Sequence, residues 1–339
     1  MIEPVVVPPA NVDTRQSIAD RRALRMDELL DKIRRGDRRS LAQAMSLVDQ
    51  PGRIDHELED CLRQLTGDVP WWGFTGPPGV GKSTLIDALI GLLRQRGRRV
   101  GVVAVDPTSP LTNGALLGDR VRMMRHAVDD DVFIRSLATH GREGGLSDAA
   151  LHCARLLELA NFDPVLIETV GVGQNDVDIA SVADVCVVVL APGYGDDIQL
   201  IKAGLLEIAD IVVVNKGDLP EANRLAKQVH EELGARSSDT REVRIVAVEA
   251  KSGKDVDQLL SELIEADRAS CGESQRLHRQ QRRLLGEIRR TATLRFEKTL
   301  EKRLAAPEGQ ELLAGLARGE LTLDSVLTRL GLDGPCSGE

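Results

Sequence analysis

Residues 76–84 read GPPGVGKST, and their types and spacing suit one kind of chemistry. Gly76, Gly81, Lys82 and Ser83 satisfy the pattern G-x-x-x-x-G-K-[ST]; the apolar run WWGFT precedes them and the helical pattern TLIDALIGLLRQRG follows. The motif requires this strand–loop–helix setting. Glycines let the main chain fold tightly enough for successive N–H groups to point at phosphate oxygens, and the helix N-terminus adds partial positive charge. The candidate cradle is Gly76, Pro77, Pro78, Gly79, Val80, Gly81, Lys82, Ser83 and Thr84. Lys82 is expected to reach the β- and γ-phosphates, and the Ser83 hydroxyl to meet Mg²⁺. The ligand this implies is a nucleoside triphosphate with Mg²⁺; the plainer alternative is a Gly-rich turn that only caps a helix.

A second motif bears on the base. The run DIVVVNKGDL ends in N-K-x-D, supplied by Asn215, Lys216 and Asp218. A carboxylate at Asp218 can accept from the N1–H and N2–H₂ edge of guanine, whereas adenine would set an acceptor against it. Mismatched buried polar groups discriminate strongly. Asn215 is expected to brace the loops, and the Lys216 stem to cover the base. Further on, VEAKSG stands where GTPases carry Ser-Ala-Lys. Glu249 replaces the serine, while Ala250 and Lys251 match, and the Ala250 N–H is a candidate donor to the base oxygen. An ordinary strand-end loop is the alternative. The expected nucleotides are GTP and GDP.

Acidic residues at strand ends complete the candidate set: Asp106 closes VGVVAVD, Asp119 and Arg122 lie in LLGDRVRM, and Glu168 ends PVLIE with Gly171 three residues on. Glu168-x-x-Gly171 takes the place of the usual Asp-x-x-Gly. Its carboxylate is expected to hold Mg²⁺ and the Gly171 N–H to approach the γ-phosphate. The catalytic candidates are thus Lys82, Asp106, Glu168 and Gly171, and the metal candidates Ser83, Asp106, Asp119 and Glu168. Each acid alone also reads as a helix cap or loop charge. Their shared place at C-terminal strand ends favours the metal, because ligands bind there in open α/β sheets. Val172 follows Gly171, where a water-orienting Gln would stand, so slow unassisted hydrolysis is expected. Gln174 is a weak substitute.

These residues need a scaffold, and the chain spells one out. Seven short apolar runs alternate with helical stretches: WWGFT (71–75), VGVVAVD (100–106), DVFIRSL (131–137), PVLIET (164–169), VCVVVLA (185–191), DIVVVN (210–215) and VRIVAV (243–248). Continuous apolar runs fit strands buried on both faces and joined by helical crossovers. The fold class is α/β, a P-loop NTPase with a mostly parallel, doubly wound sheet flanked by helices. Residues 1–70 read as a helical N-terminal extension, 71–267 as the nucleotide domain and 268–339 as a helical C-terminal arm.

The 339 residues are 42 % hydrophobic and 29 % charged but only 2 % aromatic, so the core must be built from Leu, Val, Ile and Ala. A net charge of −9 disfavours a general nucleic-acid binder. Five widely spaced cysteines with no CxxC pair argue against a disulfide framework and for a cytoplasmic setting. No signal peptide and no membrane span are expected.

The set VAVDPTSP, GDRVRM, LIETVGVGQND, GDDIQLIKAG and ADIVVVNKGD resembles the MeaB family of P-loop GTPases, of the G3E type, from about residue 35 onward. The resemblance implies GTP hydrolysis that gates cofactor loading and protection of a B12-dependent acyl-CoA mutase, methylmalonyl-CoA mutase or a relative such as 2-hydroxyisobutyryl-CoA mutase. It implies that Arg122 lies near the nucleotide, and that Asp196, Asp197, Gln199 and Lys202 form a mobile, partner-facing element. It implies homodimerisation through residues 268–335. The chain departs from the family pattern at Asn175-Asp176, at HGREGG (140–145) and at Ala203. No DxHxxG motif for binding B12 is present, so the cofactor is expected to belong to the partner. Competing readings are a nickel-type metallochaperone, for which the six histidines and the cysteines form no cluster along the sequence, an ArgK-like kinase, for which no HRD motif appears, and a dimer that binds GTP without hydrolysing it.

Overall fold

The computed structural model describes residues 26–49, 58, 61–62, 69–106, 124–126, 128–138, 148–169, 176–193, 205–235, 243–269 and 273–331. Among the described residues seven strands form one sheet: β1 (Trp71–Thr75), β2 (Val100–Asp106), β3 (Val132–Ala138), β4 (Val165–Glu168), β5 (Val185–Leu190), β6 (Ile211–Val214) and β7 (Arg244–Ala247). All pairings are parallel, in the order β3-β2-β4-β1-β5-β6-β7. The seven apolar runs therefore become seven strands, with ends moved by a residue or two.

The reason is burial on both faces. Along β4, Val165 and Ile167 enter one core and Leu166 the other. Along β5, Val185, Val187 and Val189 face one way, while Cys186, Val188 and Leu190 face the other. A period-2 backbone needs apolar residues at every position when helices cover both sides.

Helices among the described residues include α1 (residues 26–34), α2 (Arg38–Val48), α3 (Lys82–Gln95), α4 (Asp148–Leu159), α5 (Asp176–Val182), α6 (Leu206–Ile208), α7 (Ala222–Ala235), α8 (Val256–Ala269), α9 (Glu273–Ala305), α10 (Pro307–Ala317) and α11 (Leu323–Arg329). One face of the sheet packs on α1, α2, α4 and α5, through Ile33, Leu41, Met45, Leu157 and Ile179. The other face packs on α3 and α8, through Leu85, Leu89, Leu259 and Leu263. Asp37 caps α2 by accepting from the Ser40 N–H at 2.7 Å, and this hydrogen bond holds its carboxyl below the usual carboxylate range. Arg38 and Arg135 tie α2 to the sheet: Arg38 donates to the Val132 carbonyl at 3.0 Å, and Arg135 pairs with Asp49 at 3.0 Å.

Two strand glycines set how closely the helices approach. A Cβ on Gly73 would lie 2.5 Å from Ile179 and 2.9 Å from Ala183, and one on Gly101 would lie 2.9 Å from Leu157. The missing side chains are the hollows into which α5 and α4 press.

The chain divides into two compact units, Met1–Arg282 and Arg283–Glu339. The second has a small core of its own, in which Leu312, Val326 and Leu330 pack with Leu300, Leu304, Leu316 and Leu321. No helix among the described residues is long and apolar enough to cross a membrane.

Candidate nucleotide site

The phosphate-type loop leaves β1 at the centre of the sheet and enters α3. Gly76 and Gly81 take φ values of +136° and +98°, which L side chains rarely adopt. Space is closed there as well: a Cβ on Gly76 would run into the Val189 carbonyl, and one on Gly81 into the Asn215 amide. Gly81 is the N-cap of α3 and supplies no side-chain hydrogen bond to the first turn. The first turn of that helix opens at the loop, the end at which an anion is favoured.

Lys82 is buried, and its ammonium donates to the carbonyls of Gly76 at 2.7 Å and Pro77 at 3.0 Å. The cation is held inside the curl of the loop. Val80 turns its side chain into the core, while Pro78 and Gly79 stay exposed.

Next to this loop stands the end of β4. Glu168 is level with Phe74 of β1 and Ala104 of β2, so the C-terminal ends of three strands converge. The Ser83 hydroxyl donates to Glu168 Oε1 at 2.7 Å, and both side chains are buried. Two hard oxygen donors at this separation suit Mg²⁺, which favours oxygen ligands and keeps several waters. Asp106 ends β2, two residues beyond Ala104. Among the described residues no group of three His, Cys, Asp or Glu is placed to hold a metal by itself.

Asn215 joins the second motif to the first. Its Nδ2 donates to the Val80 carbonyl at 2.8 Å, and its Oδ1 accepts from the Ala250 N–H at 3.0 Å. One buried amide thus clamps the phosphate loop, the N-K-x-D turn and the VEAKSG loop. The Ala250 N–H, expected to serve a base oxygen, is engaged by Asn215 here; serving both would require a shared, three-centre bond. Lys216 adopts φ +59°, and Gly217 donates to the Val248 carbonyl at 2.9 Å.

These pieces line one cavity of about 460 Å³. Gly79, Gly81 and Thr84 form one part of its lining; Asn215, Lys216, Asp218 and Leu219 form another, joined by Glu249, Ala250 and Lys251. Leu219 was not among the sequence candidates, although its place directly after Asp218 was a usable signal. Asp119, Arg122, Gly171, Gln174, Asp196, Asp197, Gln199 and Lys202 lie outside the described residues, as do the departures at 140–145, 175 and 203.

The family model for the methylmalonyl Co-A mutase-associated GTPase MeaB matches residues 41–308. The chain belongs to the MeaB family of P-loop GTPases. Membership is supported by a Pyrococcus abyssi protein described as a GTPase, 40 % identical over 299 residues, spanning 87 % of this chain and 89 % of that one. The mouse mitochondrial methylmalonic aciduria type A homolog is 34 % identical over 269 residues, covering 73 % of this chain and 64 % of its own length. Among solved structures, a LAO/AO transport system kinase superposes with a TM-score of 0.70 at 27 % identity, covering 90 % of this chain and 96 % of that one. The MeaB match begins at residue 41, inside α2, so all but the first turn of the helix that packs under the sheet lies within the matched range.

Proposed function

We propose that this protein binds GTP with Mg²⁺, hydrolyses it slowly alone, and uses the cycle to chaperone a B12-dependent acyl-CoA mutase. The observation that carries the nucleotide part is the single cavity joining the phosphate loop to Asp218 and the Glu249–Lys251 loop. In this reading the loop amides and Lys82 hold the phosphates and Asp218 accepts from the guanine edge. Ser83 and Glu168 hold the metal, with Asp106, Asp119, Arg122 and Gly171 completing the phosphate side. The metal, when bound, neutralises charge developing on the γ-phosphoryl and leaving oxygens. The chain's own contribution is positioning, since phosphoryl transfer asks little covalent chemistry of the protein.

The partner reading draws on the family description. Gln174, Asp196, Asp197, Gln199 and Lys202 are the proposed elements that sense the γ-phosphate and contact the mutase. A second copy of the chain is proposed to dock along α9. Leu285, Ile288 and Phe296 are 48 %, 63 % and 49 % exposed there. At about 100° per residue their side chains fall within one stripe roughly 100° wide. The expected setting is the cytoplasm.

Sedimentation velocity tests the partner and the dimer together. Alone, the protein is expected to sediment as a dimer; with methylmalonyl-CoA mutase it forms a larger species whose amount differs between GDP and a non-hydrolysable GTP analogue. A monomer at all concentrations removes the α9 dimer. Absence of any complex with this mutase or with 2-hydroxyisobutyryl-CoA mutase, in either nucleotide state, removes the chaperone reading.

A further inference from the structure

We propose that Glu249 is a specificity-determining residue of the base pocket, accepting a hydrogen bond from the exocyclic 2-amino group of guanine. The proposal rests on the guanine-nucleotide reading above and adds a second carboxylate to it. The guanine edge presents three N–H bonds, one at N1 and two at N2. One carboxylate, that of Asp218, can take the N1–H and one N2–H, and the second N2–H is left over.

Glu249 lines the same cavity as Asp218 and is half-buried. Its main chain is already occupied: the N–H donates to the Lys254 carbonyl at 3.0 Å, and its own carbonyl accepts from Gly253 at 2.9 Å and from the Ser252 hydroxyl at 3.3 Å. These bonds close the turn 249–254 and fix the Glu249 backbone beside the cavity. What the residue offers a ligand is therefore its carboxylate. The neighbouring Ala250 N–H is taken by Asn215, so the main chain of this loop is poorly placed to read the base by itself. Lys216 and Lys251 line the same cavity and offset the paired negative charges. A residue that looks like a lost serine is, in this pocket, an added acceptor. Inosine nucleotides keep the N1–H and lack the 2-amino group, so they leave Glu249 without a donor. Adenine nucleotides fail at Asp218 first.

The test is calorimetric titration of the full chain, in Mg²⁺, with GDP and with IDP, for the wild type and for Glu249→Ala and Glu249→Gln. The wild type is expected to favour GDP over IDP, and E249A to cut that preference about tenfold, the fold-change of one charge-assisted hydrogen bond. E249Q, whose amide oxygen still accepts but without the charge, is expected to show a preference between those of the wild type and E249A, and it preserves shape should E249A prove unstable. If both variants keep the wild-type ratio of GDP to IDP affinity, the proposal is overturned and Glu249 serves only to shape the loop. A wild type that binds ADP as well as GDP is a different failure, since it removes the guanine reading itself.

Discussion

Asn215 shows how much one buried side chain can organise. It is 3 % exposed, and its two polar atoms link the Val80 carbonyl to the Ala250 N–H, groups from loops that follow different strands. Truncation would leave a carbonyl and an N–H unpaired in a closed site, at about 1–3 kcal/mol for each group. Asn215→Ala is therefore expected to weaken GDP binding at least about tenfold while circular dichroism stays that of the wild type. Unaltered affinity would mean that the three loops hold their positions without the clamp. Lys82 works on a different principle. Its ammonium is enclosed by the carbonyls of Gly76 and Pro77, so its charge is already placed where phosphate oxygens are proposed to arrive, and little reorganisation is needed on binding. Away from the site, the Cys153 thiol is buried in α4 and pushed up to about 12, chiefly by burial. It stays protonated and inert at neutral pH.

At the scale of elements, the position of α5 depends on an absence. This helix follows the Glu168 motif in sequence, and Ile179 seats in the hollow over Gly73. Adding a methyl group there forces overpacking against Ile179 and Ala183, which costs about 1–3 kcal/mol. Gly73→Ala is expected to lower the melting temperature by roughly 2–10 °C. The double variant Gly73→Ala, Ile179→Val should recover part of the loss by removing the crowded methyl group. A thermal melt in which the single variant matches the wild type would show that the helix shifts freely over the sheet. The strands themselves were legible in the sequence, because burial on both faces turns each into an unbroken apolar run. Their ends moved at residues such as Asp131, Pro164 and Asp210, which open the runs yet fall just outside the strands, although their carbonyls still accept from the N–H groups of Val100, Gly101 and Arg244. The phosphate loop and the N-K-x-D turn were legible too, since their chemistry is local. What could not be read were contacts across the fold. Nothing in the local pattern says that Ile179 fills the space at Gly73, that Asn215 takes the Ala250 N–H, or that Ile33 and Met45 share a core with Leu157 of α4. These pairings are set by packing between segments far apart in sequence.

For the molecule as a whole, an all-parallel sheet with β1 at its centre brings the ends of β1, β4 and β2 together on one side of the loop, with the β6 and β7 turns on the other. That topology lets motifs separated by more than a hundred residues share one cavity. In the proposed reading it also divides labour: the phosphate loop would supply binding strength common to all nucleotides, and the β6 and β7 turns the choice of base. Guanine selectivity arising from a built pocket is therefore the central expectation for this molecule. Calorimetric titration of the full chain with GDP and with ADP, in the presence of Mg²⁺, measures it directly. GDP is expected to bind at least about a hundredfold more tightly, because adenine leaves the Asp218 carboxylate facing an acceptor. Equal affinities for the two nucleotides would contradict the account.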